Sequence, residues 1–328
     1  MNLFEPGYLK LYKSGELKRR VDALNEMLAS CRVCPRMCGV NRFETKNGIC
    51  RIGHLPSVVS ICDHHGEEPA LSGSNGSGTV FFGGCNLRCV YCQNHEISQE
   101  ASYFSAFEME TGRLAEKIVD LQNIYKVHNI NFVSPSHCVP QMAEAILKAV
   151  PLGLEIPIVY NSNGYDSVEV LKLLEGIIDI YLPDLKYAND QTARQYSGGD
   201  NYRETARAAI KEMYRQVGNL QTDKKGIARH GLIVRHLILP NDLSDTRENL
   251  AWIANELSPQ VTVSLMAQYY PANRAMEFPL ISRTINYSEY LSALNALEEL
   301  DMTAGFIQQM DAPEYYQPHF RENGHPFE

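Results

Sequence analysis

The chain has 328 residues and a mass of 37.0 kDa, enough for one large α/β unit or two ordinary domains. Its 39 acidic and 30 basic side chains give a net charge of -9, which argues against a nucleic-acid-binding protein, because such proteins usually carry a basic excess. No segment is apolar for long enough to act as a signal peptide or to span a membrane, so the sequence predicts a cytoplasmic protein with no nucleic-acid or membrane partner.

The N-terminal region predicts one helix followed by a loop-rich, metal-binding module. Apolar residues recur with a period near 3.6 over residues 8–30. From residue 31 to about residue 75 the chain is rich in Gly, Pro, Cys and His, so we expect a module that something other than a hydrophobic core holds together. We therefore divide the chain into this N-terminal module (1–76), a central α/β domain (77–308) and an irregular C-terminal tail (309–328).

Short apolar runs alternate with amphipathic segments from residue 78 onward. This alternation predicts βαβ units and a parallel sheet with right-handed crossovers. Six units are too few for a closed eight-stranded barrel, so we predict a partial (β/α)6 barrel of the TIM type, with an open doubly wound sheet as the alternative. The predicted strands are 78–83, 129–134, 156–161, 177–182, 231–238 and 261–267, and the predicted helices are 110–125, 139–150, 166–175, 190–217, 244–257 and 287–300.

Polar side chains follow nearly every predicted strand. In a βα barrel the chemistry takes place at the carboxyl ends of the strands, so these positions are candidate site residues. The segments are SPSHC after the second strand, YNSNGY after the third, LPDLKY after the fourth, RHLILPN at the fifth and AQYYP after the sixth. For Asp184, Lys186 and Arg235, the alternative is a set of ion pairs that closes the mouth of the barrel.

The loop after the first predicted strand reads GGCNLRCVYCQN and contains Cys85, Cys89 and Cys92. Thiolates are soft ligands that suit zinc, copper(I) and iron–sulfur clusters. The C-x3-C-x2-C spacing fits three corners of a [4Fe-4S] cube, whereas structural zinc sites usually combine two separated C-x2-C pairs. A cube held by three thiolates leaves one iron open, which predicts a substrate or cofactor site. The alternative is a structural zinc loop completed by Cys62 or Cys138.

This loop, directly after the first strand and with Tyr91 before its third cysteine, resembles the radical S-adenosylmethionine (SAM) superfamily. Over about residues 76–272 the sequence is most similar to pyruvate formate-lyase activating enzyme and its activase-like relatives. The resemblance implies an oxidoreductase whose [4Fe-4S] cluster, on Cys85, Cys89 and Cys92, reductively cleaves SAM to a 5′-deoxyadenosyl radical that abstracts hydrogen from a substrate. It also implies a flavodoxin- or ferredoxin-type reductant.

The resemblance also assigns SAM-binding roles. SNG at 162–164 resembles the activase T-N-G turn, DLK at 184–186 matches the fourth activase strand, and VRHLILP at 234–240 resembles the fifth, which makes Arg235 the expected partner of the SAM carboxylate. Two stretches depart from the pattern: residues 134–137 replace a Gly-Gly-Glu-like segment, and residues 268–270 replace a His. The expected cofactor-binding residues are Tyr91, Asn94, Ser134, Ser136, Asn161, Asn163, Asp184, Lys186, Arg235 and Gln268.

A second cysteine group lies upstream, in the N-terminal module. Cys31, Cys34, Cys38 and Cys50 form a C-x2-C-x3-C-x11-C set that can surround one metal and leave no open position. The spacing fits either an auxiliary iron–sulfur cluster that relays electrons or a zinc ion or closed cluster that stabilises the module. The segment CDHHGEEP at 62–69 has none of the helical spacings of known metal motifs, so we expect a loop that covers the mouth of the barrel.

Three functional hypotheses follow. The first is a radical SAM activase that abstracts hydrogen from a glycine of a glycyl-radical enzyme, which makes a protein its partner. The second is a radical SAM enzyme that modifies a peptide or a small molecule. The third is a zinc-binding interaction protein with no catalytic activity.

Overall fold

The computed structural model describes residues 4–311, 318–321 and 326–327, and its centre is a nine-stranded, mostly parallel sheet. The strands are β1 Val58–His64, β2 Ser77–Phe82, β3 Ile130–Val133, β4 Ile158–Ser162, β5 Ile180–Pro183, β6 Gln221–Thr222, β7 Ala228–Leu237, β8 Thr262–Met266 and β9 Gly305–Ile307. They lie in the order β1-β2-β3-β4-β5-β7-β8-β9, with β6 on β7. β1 and β6 are antiparallel to their partners, and the other pairs are parallel.

Twelve α-helices connect or flank these strands in the described part of the chain. They are α1 Gly7–Lys13, α2 Glu16–Glu26, α3 Pro69–Ser72, α4 His95–Gln99, α5 Ala101–Phe104, α6 Thr111–Asp120, α7 Val139–Ala149, α8 Val168–Leu173, α9 Asp190–Ser197, α10 Tyr202–Val217, α11 Thr246–Glu256 and α12 Tyr287–Glu299. None of the helices in the described ranges combines the length and the hydropathy that crossing a bilayer requires.

The predicted α/β class with a parallel sheet is confirmed, and all six predicted strands are present as β2, β3, β4, β5, β7 and β8. The sheet is not closed: in the described residues, β1 and β9 lie at its two ends and pair only with β2 and β8. The partial six-unit barrel therefore stays a prediction. The predicted tail (309–328) falls in part outside the described residues, and within it Phe320 is buried in a small apolar cluster with Cys62, Phe81 and Ile97.

Three predicted elements were wrong in detail, and glycine accounts for two of them. The single helix predicted over 8–30 is broken into α1 and α2 at Gly15, whose φ of +76° no helix accommodates. The helix predicted over 190–217 is broken into α9 and α10 after Gly198, whose φ is +63°. The loop expected up to residue 75 contains β1, because its alternate residues are buried against the sheet, and the short helix α3.

The two faces of the sheet have different coverings. Strand residues on one face share a single large core with helix residues such as Leu114, Ile118 and Met142. On the other face, Ala70 and Leu71 of α3 pack with a set of strand residues: Val159, Ile180, Leu182, Ala228 and Ile233. Because α3 covers this second face, the polar strand residues beyond it line a cavity rather than a packed core.

Candidate active site

The three-cysteine loop begins directly after β2, and the chain supplies a hydrogen-bond partner to each of its thiols. Asn163 donates from Nδ2 to the Cys85 sulfur at 3.4 Å, and the Leu87 amide donates to the same atom at 3.4 Å. The Ser197 hydroxyl donates to the Cys89 sulfur at 3.0 Å. The Ser98 Oγ lies 3.3 Å from the Cys92 sulfur. Hydrogen-bond donors of this kind stabilise sulfur that carries negative charge, as it does in a metal thiolate.

Burial makes these three thiols poor acids when no metal is present. It raises the pKa of Cys85 and Cys89, and it raises the pKa of Cys92 to about 12. Lys186 opposes the effect of burial at Cys89, since its ammonium favours the thiolate. A soft metal that binds the thiolates displaces these protons, so ligation and deprotonation are coupled here.

The set of three soft donors fits an iron–sulfur cluster. Each thiolate of a cube bonds a different iron, so the three sulfurs need only surround it. A single zinc ion instead requires its ligands to converge on one point. In the described ranges, no group of three or more His, Cys, Asp or Glu side chains has the arrangement for one metal ion.

Beside the thiols lies a cavity of about 910 Å³. Its lining contains the three cysteines and nine of the ten residues expected to bind SAM: Tyr91, Asn94, Ser134, Asn161, Asn163, Asp184, Lys186, Arg235 and Gln268. The tenth, Ser136, is buried beside Tyr160 and Asp166 and is not in the lining. These residues share one cavity because the carboxyl ends of successive parallel strands meet at one edge of the sheet, and their SAM-binding roles stay predictions.

A buried ion network crosses the cavity wall. Lys186 Nζ lies 2.5 Å from Asp184 Oδ2, and Arg235 Nε donates to Asp184 Oδ1 at 2.8 Å. Arg235 also donates from Nη2 to Asn161 Oδ1 at 2.7 Å. Burial alone would raise the pKa of Asp184, but Arg235 and Lys186 together hold it below its usual range. The predicted SAM-carboxylate partner, Arg235, therefore already has two of its nitrogens occupied by protein groups.

Glu67 and Glu68 line the same cavity, although we expected their segment to cover the mouth of the barrel. That expectation was wrong, because α3 lies at the opposite edge: Gly73, which follows it, is close to Ile227 and His128, just before β7 and β3 begin. The two carboxyl groups thus approach the sheet from the amino ends of its strands. Sequence offers only a weak signal for this placement, the apolar pair at 70–71 that follows the two acids after one proline.

Other site residues escaped the sequence reasoning. The Tyr91 hydroxyl lies 2.5 Å from that of Tyr187, which lies 2.7 Å from Ser197 Oγ, the donor to Cys89. Asn86 accepts from Asn163 at 2.8 Å and donates to the Tyr165 carbonyl at 2.7 Å, so it fixes the loop beside Cys85. Only tertiary structure brings these groups together, and no local spacing in the sequence predicts their contacts.

The second cysteine group surrounds a small internal space. Cys31, Cys34 and Cys50 are buried, Cys38 is half-buried, and all four line one narrow cavity. Burial, with the other three thiols nearby, raises the pKa of Cys34 to about 12. Their sulfurs do not converge as ligands of one ion in the described structure. A metal at this group therefore remains a prediction.

Arg42 is buried against this group, with 2% of its surface exposed. It donates from Nε to the carbonyls of Ile52 and Gly53 at 3.1 and 3.0 Å, and from Nη1 to the His137 carbonyl at 2.7 Å. Its Nη2 has no hydrogen-bond partner in the part of the chain that the structure describes. Burial would lower the pKa of this guanidinium, but the nearby Cys50, Cys138 and Cys31 thiols raise it.

The second cysteine group is docked directly on the three-cysteine loop. Arg36 donates from Nε to the Asn86 carbonyl at 2.7 Å, and Arg88 donates to the Ile49 carbonyl. Gly84, with a φ of +76°, approaches the Cys50 carbonyl so closely that a Cβ would lie 2.4 Å from its oxygen. The two cysteine groups are thus parts of one packed unit.

Replacing Gly84 with alanine should therefore destabilise the protein more than the same change at Gly15. Both glycines have a φ of +76°, where an L-residue costs about 1–2 kcal/mol, but Gly15 has no atom within 4 Å of a new Cβ. We expect Gly15→Ala to show only the backbone cost and Gly84→Ala to exceed it, as measured by urea unfolding. Equal losses in the two variants would contradict the close approach of Gly84 to Cys50.

Comparison with known proteins agrees with this geometry. The sequence model of the radical SAM superfamily matches residues 79–218, the span from β2 to the end of α10 with the three-cysteine loop inside it. An uncharacterized protein of Methanocaldococcus jannaschii is 31% identical over 305 residues, which cover 91% of this chain and 83% of that protein.

Two solved structures share 14% sequence identity with the chain and match 69% of its length. One is TYW1 with a lysine–pyruvate adduct bound (TM-score 0.38, 74% of that chain), and the other is the cobalamin-dependent S-adenosylmethionine radical enzyme OxsB with aqua-cobalamin bound (TM-score 0.37, 31% of that chain). These TM-scores are too low to inform the fold or reaction of this chain. The superfamily match decides the assignment: residues 79–218 form a domain of the radical SAM superfamily, whose enzymes use a [4Fe-4S] cluster and SAM.

Proposed function

We propose that Cys85, Cys89 and Cys92 hold the [4Fe-4S] cluster and that the adjoining cavity binds SAM together with a substrate. The observation that carries this proposal is the position of three hydrogen-bonded thiols on one wall of a 910 Å³ cavity that also contains a buried ion network. When bound, the cluster and SAM supply a 5′-deoxyadenosyl radical, which removes a hydrogen atom from a C–H bond of the substrate.

The side chains around the thiols have distinct roles in this proposal. Lys186 carries positive charge next to Cys89 and offsets the charge of the thiolate. Asp184 orients both Lys186 and Arg235 through short hydrogen bonds. Nη1 of Arg235 faces Glu67 at 3.9 Å, beyond hydrogen-bond length, so this nitrogen is free to donate a hydrogen bond to the carboxylate of SAM.

Part of the remaining cavity wall is apolar. Leu237, Met266 and Phe306 line the cavity with apolar surface. A radical that can attack any nearby C–H bond requires a site in which the substrate is oriented and solvent is kept out. The chain's contribution is therefore binding, orientation and protection, within what we propose is a partial barrel.

We propose a small molecule, or one side chain of a peptide, as the substrate. A cavity of 910 Å³ lies at the upper end of the range for small-molecule sites, so SAM and a second small group can share it. The acidic groups deep inside it also favour a ligand that enters fully over a glycine backbone presented at the rim. Activation of a glycyl-radical enzyme is the second candidate, supported by the sequence resemblance of the SNG and DLK segments.

Deuterium transfer distinguishes these candidates. The reconstituted protein would be reduced, supplied with SAM, and mixed with fully deuterated candidate substrates, and the deuterium content of 5′-deoxyadenosine would be measured. Transfer from a small molecule or a peptide supports the first candidate. Transfer only from a protein labelled at glycine Cα would replace it with the second, and no SAM cleavage with any candidate would count against both.

We propose further that Cys31, Cys34, Cys38 and Cys50 bind a metal centre of their own. The supporting observation is Arg42, a cation that is buried beside the sulfurs of Cys31 and Cys50. A buried charge is costly unless an opposite charge is near, and metal thiolates supply that charge. The direct contacts to the three-cysteine loop favour an auxiliary iron–sulfur cluster over a remote zinc staple.

Metal analysis checks this second centre. After anaerobic reconstitution, Cys50→Ala should lose the metal of the N-terminal group and keep about four irons at the three-cysteine loop. Cys62→Ala is the matched control, because Cys62 lies in a separate apolar cluster, and it should retain the wild-type content. If Cys50→Ala and wild type contain the same iron and zinc, the second centre does not exist.

A further inference from the structure

Glu67 and Glu68 form an acidic pair at the deep end of the cavity, defined here as the acidic floor. Asn131 donates from Nδ2 to Glu67 Oε1 at 2.9 Å, and Arg235 Nη1 lies 3.9 Å from Glu67 Oε2. Glu68 is 8% exposed and lies near Ser264 of β8. The two carboxyl groups are held by β3, β7 and β8, so their position is fixed by the sheet rather than by a mobile loop.

The acidic floor lacks enough protein cations. Within the cavity lining, three carboxyl groups and two cations act on one another: Glu67, Glu68 and Asp184 on one side, and Lys186 and Arg235 on the other. Lys186 Nζ and Arg235 Nε both donate hydrogen bonds to the Asp184 carboxylate. Oε2 of Glu68 is buried and has no hydrogen-bond partner within the described ranges, although the residue lines the cavity.

Such an arrangement is unfavourable in the absence of a ligand. A carboxylate taken out of water without a full set of partners must either stay protonated or remain strongly destabilised. Burial accordingly raises the pKa of both Glu67 and Glu68, with Arg235 only partly opposing it. A buried carboxylate oxygen without a partner, in a residue that lines a cavity, marks a carboxyl group that a ligand cation would stabilise.

We propose that the acidic floor recognises a positively charged group of the substrate, such as a protonated amine or a guanidinium. This inference rests on the proposed function and names the substrate class of the same site. A cation bound at the Glu68 carboxyl group would complete the charge balance of the five groups. The apolar lining at Leu237, Met266 and Phe306 suits the carbon chain that carries the cation.

The order of contacts along the cavity separates the acidic floor from the cluster. Cys89 is next to Lys186, Lys186 contacts Asp184, Asp184 contacts Arg235, and Arg235 faces Glu67. A SAM molecule held at the cysteines would thus meet this series of residues up to Arg235, and a second ligand would meet Glu67 and Glu68 beyond it. We therefore assign the acidic floor to the substrate and not to SAM.

Three probes of nearly equal shape test the assignment: n-pentylamine, 1-pentanol and pentanoate. Their binding to the full chain, both as purified and after anaerobic reconstitution with SAM, would be measured by saturation-transfer NMR. The wild type should bind the amine at least tenfold more tightly than the alcohol in both states, and it should not bind pentanoate when SAM is present. Glu68→Gln should lose that tenfold preference. The control Glu256→Gln, an exposed acid on α11, should keep it.

A second measurement ensures that a folding defect is not mistaken for lost recognition. Glu68→Gln removes a buried unpaired charge and keeps the shape, so its melting temperature at neutral pH should equal or exceed that of the wild type. The variant should also bind radiolabelled SAM as the wild type does. Equal binding of amine and alcohol by the wild type would overturn the proposal. Loss of SAM binding in Glu68→Gln would also overturn it, because the acidic floor would then belong to the SAM site.

The two proposals fail in different ways. If the chain forms no cluster and cleaves no SAM, the proposed function is wrong, whereas the amine preference of the protein as purified still reports on the acidic floor. If SAM is cleaved and the amine shows no preference that depends on Glu68, the function stands and the substrate class is wrong.

Discussion

Replacing Cys89 with alanine should abolish the formation of 5′-deoxyadenosine from SAM in the reduced, reconstituted protein. Cys89 is the central thiol of the three, and it accepts the Ser197 hydrogen bond and lies next to Lys186. With only two thiolates left, the [4Fe-4S] cluster loses one of its protein ligands. We therefore expect the variant not to hold an intact cluster. Chromatography of the reaction mixture measures the product directly.

The control for this experiment is Cys62→Ala. Cys62 is a buried cysteine outside both cysteine groups, in the cluster with Phe81 and Ile97. Its substitution should leave SAM cleavage near the wild-type rate. If Cys89→Ala forms 5′-deoxyadenosine at the same rate as the wild type, the three-cysteine loop is not the catalytic centre.

Replacing Arg235 with leucine should lower the free energy of unfolding by about 3–5 kcal/mol, because breaking a buried ion network leaves carboxylates without their counterion. Asp184 and Glu67 both face this guanidinium. The matched control is Arg194→Leu, since Arg194 forms an exposed pair with Asp200 and should cost less than about 1 kcal/mol. Denaturant titration of the two variants gives the comparison, and similar losses in both would contradict the buried network.

The same network predicts how stability depends on pH. The folded-state pKa of Asp184 is lowered, so the stability that this carboxylate contributes is present above its unfolded pKa and is lost as the pH falls through its folded pKa. In Arg235→Leu the pKa of Asp184 is no longer held down by the guanidinium. The loss of stability on acidification should therefore be smaller in the variant than in the wild type, as measured by unfolding at a series of acidic pH values.

The sequence predicts the parallel sheet and much of the cavity because both depend on local patterns. Each of the six predicted strands is a short apolar run, and these runs became β2, β3, β4, β5, β7 and β8. Asp184 and Arg235 follow or end such runs, so the topology alone brings them to one edge of the sheet. The spacing of the three cysteines is likewise visible without any tertiary structure.

The parts that sequence reasoning missed depend on long-range packing. β1 joins the sheet only by antiparallel pairing with β2, and its His- and Asp-containing sequence resembles a loop. Glu67 and Glu68 enter the cavity because α3 packs across the face of the sheet, a contact that spans residues more than 80 apart. Ser197 reaches Cys89 from the end of α9, and nothing in the local sequence of either residue indicates this pairing.

The central claim is that a cluster on Cys85, Cys89 and Cys92 has an open iron that binds SAM inside the cavity. Electron paramagnetic resonance of the reconstituted, dithionite-reduced protein, recorded with and without SAM, tests it most directly. To isolate this cluster from the second centre, the measurement would be repeated in Cys50→Ala. We predict a reduced-cluster signal in Cys50→Ala whose shape changes when SAM is added. A signal that SAM leaves unchanged, or a protein that takes up zinc and gives no cluster signal, would contradict the account.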